Sequence, residues 1–230
     1  MESPYREILI AIAKGDGKLL NIFRRAKVSE VFGKEIIMQL KELEIIDIEK
    51  SRETPLKTHP KQKIKKHLRS YRIQSKVRFK EPFFRFWFGF VEPYHRELKL
   101  GKTDRFWTNY HKHYDRCVSL AFEQLSNSLL EIYQNSIDPL VEKGGFWDQH
   151  SEFDILATTQ SGKTILGECK YKSRKICKSE LTKLKEKATL SNITVDTYAL
   201  FSLSGFSNEL LQSSDRDLLL FEAKDFTLLL

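Results

Sequence analysis

The sequence predicts a mixed α+β / α/β chain in two parts: a small N-terminal helical module closed by two strands, then a part with a mixed central sheet flanked by helices. Three observations carry this expectation. Short segments with apolar residues at helical spacing fill the first 43 positions, and a β-prone run follows at once. The basic residues are concentrated in one later stretch. From Arg105 onward, a long helical stripe gives way to three β-like runs, a helix and another apolar run, the order of a sheet covered by helices.

Taken in order, Pro4 to Lys14 reads as a first helix, with Ser3 as N-cap, Ile8, Leu9 and Ile12 as the apolar face and Gly15 as the stop. Leu19 to Ala26 and Ser29 to Leu43 give a second and a third, the latter with Val31, Ile36, Ile37, Leu40 and Leu43 as its apolar positions. Ile45 to Glu49 suits a strand, and Tyr71-Arg72-Ile73 a second one after a basic loop. Three small helices and two strands around a basic loop match a winged helix, in which the third helix enters the major groove and the wing touches phosphates. A helical protein-interaction module has the same build. The aromatic run from Phe79 to Val91 reads as a hydrophobic plug rather than a stacking platform, because Phe and Trp bury the largest areas.

In the second part, Arg105 to Asn135 predicts a long amphipathic helix with Tyr114, Val118, Ala121, Leu125, Leu129 and Ile132 inward and Glu123 off that stripe. Strands follow at Leu140 to Trp147, Glu152 to Thr159 and Lys163 to Tyr171, then a helix at Ser179 to Leu190 and a buried strand at Thr197 to Ser202. A short helix near Asn208 to Gln212 and strands near Leu218 to Phe221 and at the C-terminus complete the part. The expected boundaries are 1–75, a connecting segment at 76–104, and 105–230.

Composition narrows the function. The sequence carries 39 Lys or Arg, 31 acids and a formal charge of +8. Residues 50 to 80 hold 12 of those basic residues and one acid, leaving 27 against 30 elsewhere. A basic excess confined to one segment suggests a polyanion-binding surface, to which Arg52, Lys57, Lys61, Lys63, Lys65, Lys66 and Arg69 belong. No apolar run has the length of a membrane span and the N-terminal stretch lacks the charged-then-apolar build of a signal peptide, so a cytoplasmic location is expected. The three cysteines lack the spacing of a zinc or disulfide-exchange motif.

The hairpin around Gln160-Ser161-Gly162 carries the chemistry. If Thr159 and Lys163 close a three-residue loop with Gly162 in the left-handed position, Asp154 falls opposite Glu168, and Glu152 opposite Lys170. Leu156 and Leu166 share that face, while Phe153, Ile155, Ala157, Ile165, Cys169 and Tyr171 take the other. Opposed acids on a ladder have Cβ atoms about 5 Å apart, and like charges so placed repel. A divalent cation would compensate, since hard ions take carboxylate oxygens and keep waters elsewhere. Lys170, on the same face, would then steady a water or a phosphate oxygen. A surface hairpin with a Glu152–Lys170 pair is the plain alternative.

The order helix, three strands, helix, strand resembles the core of the PD-(D/E)xK nuclease superfamily, a restriction-endonuclease-like fold. Asp154 matches its second-strand acid, Glu168 and Lys170 match its ExK, and Glu123 in Ala121-Phe122-Glu123 matches the glutamate that often joins from the first helix. A wider resemblance rests on Phe83-Phe84-Arg85-Phe86-Trp87, Val91-Glu92-Pro93, Phe122-Glu123, Trp147, Glu152-Phe153-Asp154-Ile155, Gly167-Glu168-Cys169-Lys170 and Phe201-Ser202-Leu203-Ser204-Gly205-Phe206. These look like the C-terminal region of prokaryotic DEXX-box (AAA-type) ATPases, in which a winged helix precedes a nuclease-like domain. The chain departs from that pattern in having no GxxxxGK[ST] phosphate loop, so it is expected to be a fragment or a stand-alone relative.

The resemblance implies a Mg²⁺- or Mn²⁺-dependent nuclease on double-stranded DNA, with Asp154, Glu168 and the Cys169 carbonyl as metal ligands and an ATPase module as partner. The alternative is a DNA-binding or ATPase-associated regulatory module that does not cleave.

Overall fold

The computed structural model describes residues 3–53, 59, 61–64, 66, 71–148 and 151–230. Among these are eight α-helices and seven strands in a two-stranded and a mixed five-stranded sheet. The chain divides into two compact units: Met1–Lys50 with Pro55–Cys117, and Ser51–Thr54 with Val118–Leu230. Residues 76–104, expected as a connector, therefore belong to the first unit.

In the first unit α1 (Tyr5–Lys14), α2 (Leu19–Ala26) and α3 (Glu30–Glu42) bury Ile8, Ile12, Ile22, Phe23, Ile36, Ile37 and Leu40 in one core. Ser29 caps α3 by accepting the Phe32 amide at 3.3 Å. Ser3 does not cap α1, whose N-cap is Pro4 with no side-chain acceptor. Two residues expected on the inner face of α3 point elsewhere: Val31 is 73% and Leu43 66% exposed. At about 100° per residue, Val31 lies on the side opposite Ile36 and Leu40, and Leu43 is already the C-cap.

Strands β1 (Ile46–Glu49) and β2 (Lys76–Phe79) pair antiparallel from Ile46↔Phe79 to Glu49↔Lys76. The second strand thus starts five residues beyond the expected Tyr71-Arg72-Ile73. Val77 and Phe79, two residues apart, supply the fully buried pair that a strand with one face on a core requires. The aromatic run follows as α4 (Pro82–Phe86), a π-helical turn (Trp87–Val91), a 3-10 turn (Glu92–Tyr94) and α5 (His95–Lys99). It packs as a plug: Phe79 and Phe88 stack with centroids 6.0 Å apart. The buried guanidinium of Arg85 donates to the carbonyls of Ile12, which also accepts the Gly15 amide, and Ala13 in the last turn of α1.

Helix α6 (Asp104–Asn135) enters the second unit at Val118. Strands β3 (Leu140–Trp147), β4 (Glu152–Thr159), β5 (Thr164–Lys170), β6 (Thr197–Ser202) and β7 (Leu218–Glu222) lie in that spatial order. The first three are antiparallel, and β5–β6 and β6–β7 are parallel. Helix α7 (Lys178–Leu190) makes the crossover between β5 and β6, and α8 (Asn208–Leu211) sits between β6 and β7. A core lies on each side of the sheet. One joins Phe153, Leu156, Leu166 and Leu200 to Leu181, Leu184 and Ala188 of α7. The other joins Ile155, Ile165, Cys169 and Phe201 to Phe122, Leu129 and Leu130 of α6.

Three expectations are corrected in this unit. The inner stripe of α6 is rotated to Phe122, Ser126, Leu129 and Leu130, leaving Leu125 and Ile132 exposed. Phe122 decides the rotation by stacking on Phe226 at 5.0 Å and meeting Tyr171 at 5.8 Å. The C-terminus is a 3-10 helix (Ala223–Leu229) rather than a strand, because a reciprocal Glu222–Asp225 cap turns the chain out of the sheet. Phe153 packs with Leu156, not with Ile155, because the β3–β4 register shifts between Gly144 and Phe146. Among the described residues no helix is long and apolar enough to cross a membrane.

Candidate metal centre

The β4–β5 hairpin has the expected loop and, as far as Ile155↔Gly167, the expected register; the expected pairs Asp154↔Glu168 and Glu152↔Lys170 lie beyond the end of the ladder. The Thr159 amide donates to the Lys163 carbonyl at 2.9 Å, Gly162 holds φ +87°, and pairing runs from Thr158↔Thr164 to Ile155↔Gly167. Gly162 is needed because L side chains rarely adopt that backbone. Gly167 is needed for a different reason. A Cβ there would stand 3.0 Å from Ile155 Cβ and 3.3 Å from the Ala199 carbonyl oxygen, so glycine lets β4 and β6 close on β5 just before Glu168.

Beyond Ile155 the ladder gives way to a side chain. The Cys169 amide, next in line for β4, donates instead to Asp154 Oδ2 at 2.8 Å. Asp154 is thereby fixed beside Glu168. Glu168 is 9% exposed, its Oε1 accepts from Lys170 Nζ at 2.6 Å, and its buried Oε2 has no hydrogen bond among the described residues. Lys170 also lies 3.7 Å from Glu180 Oε2, projected from the first turn of α7. Sequence reasoning missed Glu180, which is 10 positions beyond Lys170 with no motif spacing to mark it. The helical pattern does set it on the flank of Leu181 and Leu184, the side α7 turns to the sheet. Lys170 thus pairs with Glu168 and Glu180, not with Glu152 as the plain hairpin reading expects.

The electrostatics follow from this crowding. Burial, then the charges of Glu168 and Glu123, raise the Asp154 carboxyl from an ordinary 3.8 to about 8, against the Cys169 amide and Lys170. Glu123, on α6, therefore acts on the site through its field. Burial pulls the Lys170 ammonium down, but the bond and charge of Glu168, with Glu180 and Asp154, outweigh it and hold the pKa above its ordinary value. Burial pushes Glu180 up, yet Lys183 and Lys170 hold it below the usual carboxylate range. The Cys169 thiol is pushed well up, chiefly by burial, and serves as a core residue. At neutral pH the site therefore keeps a proton on Asp154 and a full charge on Lys170, which can donate but not act as a base.

A buried, crowded Asp154 carboxyl beside a Glu168 carboxylate with an orphaned buried oxygen suits a hard divalent cation, which would replace the Asp154 proton and satisfy Glu168 Oε2. Among the described residues no group of three or more His, Cys, Asp or Glu converges to hold an ion. Two carboxylates completed by main-chain oxygen and water fit Mg²⁺ or Mn²⁺ rather than zinc, which prefers nitrogen and sulfur.

The residues expected to touch nucleic acid fall into three groups. Lys61, Lys63 and Lys66 are exposed between β1 and β2. Lys57, Lys65 and Arg69 lie outside the described residues. Arg52 belongs to the second unit, where its guanidinium donates to the Leu156 carbonyl at 2.7 Å, Glu142 Oε2 at 2.6 Å and Thr158 Oγ1 at 2.8 Å. Three of its five N–H donors are spent on β3 and β4, so it clamps these two strands.

No curated protein and no solved structure matches the chain. Residues 87–189, which include Glu123, Asp154, Glu168, Lys170 and Glu180, match the model of DUF234, a family described as archaea bacterial proteins of unknown function.

Proposed function

We propose that the second unit is a metal-dependent phosphodiesterase of PD-(D/E)xK type acting on nucleic acid, and that the first unit is a winged helix that delivers duplex DNA. The observation that carries this reading is the Glu168 carboxylate, bonded on one side to Lys170 and, among the described residues, left unsatisfied on the other, with the buried Asp154 carboxyl crowded beside it. A surface hairpin has no use for such an arrangement, which costs stability unless something binds.

Asp154 and Glu168 would hold Mg²⁺ or Mn²⁺, completed by the Cys169 carbonyl and water, with Glu123 adding negative charge from α6. Such an ion, when bound, supplies charge stabilisation to the scissile phosphate and acidifies an attacking water. Asp154 would release its proton to solvent for its carboxylate to ligate. Lys170 donates to a phosphate or water oxygen, and Glu168 and Glu180 hold its ammonium in place and charged. Plasmid DNA incubated with Mg²⁺ or Mn²⁺ tests the reading. Cleavage should be lost in Asp154→Ala and Lys170→Ala, and cleavage unchanged in both variants would refute it.

A second reading is favoured by the outer face of α3. Val31, Phe32 and Met38 are exposed there, and Glu30, Glu35 and Glu42 accompany them. The cations on this helix are Lys34, tied to Glu30 at 2.6 Å, and Lys41, against three acids, whereas a groove-reading helix presents an excess of cations and hydrogen-bonding side chains, so this face suits a protein partner, such as an ATPase module, better than DNA. DNA binding measured against salt separates the roles. Lys61→Gln, Lys63→Gln and Lys66→Gln together should flatten the slope of log affinity on log salt by roughly 0.9 per lost phosphate contact. An unchanged slope removes the wing from the interface and leaves partner docking as the role of the first unit.

A further inference from the structure

The β5–α7 loop carries charge that the site just described does not use. Lys172, Arg174 and Lys175 are all exposed, and they line one hollow with Lys170, Ile176 and Glu180. Among the described residues none of the three has a carboxylate within ion-pair distance, whereas the neighbouring Lys178 is paired with Glu209 at 3.3 Å and Lys183 with Glu180 at 3.2 Å. Among the described residues the one acid lining the hollow, Glu180, is already matched by Lys170 and Lys183.

The backbone that displays these cations is held fast. Ile176 is buried, its amide donates to the Gly205 carbonyl at 2.9 Å and its carbonyl accepts the Ser207 amide at 2.9 Å. Ser204 Oγ donates to the Lys172 carbonyl at 2.8 Å. Three unpaired cations on an anchored loop repel one another, and an anion between them relieves that cost without ordering the chain. One edge of the hollow is Lys170 itself, so an anion bound there is continuous with the phosphate position of the centre.

We propose that Lys172, Arg174 and Lys175 form a subsite for the backbone phosphates next to the scissile one, so that the β5–α7 loop guides a nucleic-acid strand away from Asp154 and Glu168. This rests on the phosphodiesterase reading for its orientation, but its binding consequence is measured without metal or turnover. The loop contributes phosphate contacts and no base readout, so the preference it confers is for the polyanion and not for a sequence.

The test is the binding of a fluorescein-labelled 20-base-pair DNA duplex in EDTA at several salt concentrations. The probe is read by anisotropy with the full chain and with Lys172→Gln/Arg174→Gln/Lys175→Gln. Loss of two or three phosphate contacts should lower the salt slope by about 2 and weaken binding at least tenfold at low salt. A charge-matched control, Lys99→Gln/Lys102→Gln/Lys112→Gln, removes three exposed cations from the first unit and should keep the slope. A wild-type slope in the loop variant, or equal losses in loop and control variants, overturns the subsite. If the wild type cuts no plasmid but the loop variant alone loses binding, the hydrolase reading fails and the subsite stands. Normal cleavage with a wild-type slope in the loop variant means the reverse. All three side chains are exposed, and a melting curve matching the wild type confirms that the variant is folded.

Discussion

Asp154→Asn should stabilise the protein, and by an amount that grows with pH. The Asn carbonyl oxygen can keep the hydrogen bond from the Cys169 amide that Asp154 Oδ2 now accepts, while the carboxyl's titration disappears. In the folded chain that carboxyl titrates at about 8 against an ordinary 3.8. Between those values the folded state binds a proton that the unfolded state has released. The unfolding free energy therefore falls as pH rises, by about 1.4 kcal/mol per pH unit, and levels off above pH 8. Across the whole interval the loss is on the order of 5 kcal/mol.

Stability from this group is thus fully present below pH 4 and gone above pH 8, and Asn removes the dependence. Thermal melts at pH 5, 6, 7, 8 and 9 in EDTA and constant ionic strength read the difference. At about 2–4 °C per kcal/mol for a chain of this size, the variant should melt roughly 10–20 °C above the wild type at pH 9, and much closer to it at pH 5. Parallel pH profiles for the two proteins would refute the crowding of Asp154 by Glu168 and Glu123. Mn²⁺ adds a second arm: it should raise the wild-type melting point most at high pH, where no proton must be displaced, and leave Asp154→Asn nearly unmoved.

Other outcomes follow from the same geometry. Gly167→Ala should cost about 1–3 kcal/mol by chemical denaturation, because the added methyl meets Ile155 and the Ala199 carbonyl at 3.0 and 3.3 Å. Phe153→Ala empties a fully buried site beside Leu156 and should cost about 3–5 kcal/mol in the same assay. Arg52→Ala should destabilise by about 2 kcal/mol through three lost charge-assisted hydrogen bonds, yet leave the salt slope of DNA binding unchanged. Glu180→Gln should lower the Lys170 pKa, read by ¹⁵N chemical shift of its ammonium against pH, without a comparable change in melting point.

Much of the fold is legible in local patterns. The strands at 140–147, 152–159 and 197–202 and the helix at 19–26 appear at their expected bounds, because alternation and helical spacing there agree with burial. The hairpin register is legible for a stronger reason: a three-residue loop with Gly162 leaves only one alignment for the flanking strands. The misreadings share a different origin. The stripe on α6 is displaced because Phe122 and Phe226, 104 positions apart, choose which side turns inward. The side taken by Phe153 depends on a register shift against β3 that no pattern within β4 records.

That Asp154, Glu168 and Lys170 come together is already written in short-range alternation and one turn, which suffice to align two neighbouring strands. The state in which they meet is set by packing between distant segments. The proton on Asp154, the unsatisfied oxygen of Glu168 and the clamp of Glu180 on Lys170 arise from α6 and α7, packed on the opposite faces of the sheet. Charge state depends on burial and on charges brought in from distant segments, and neither quantity is carried by local spacing.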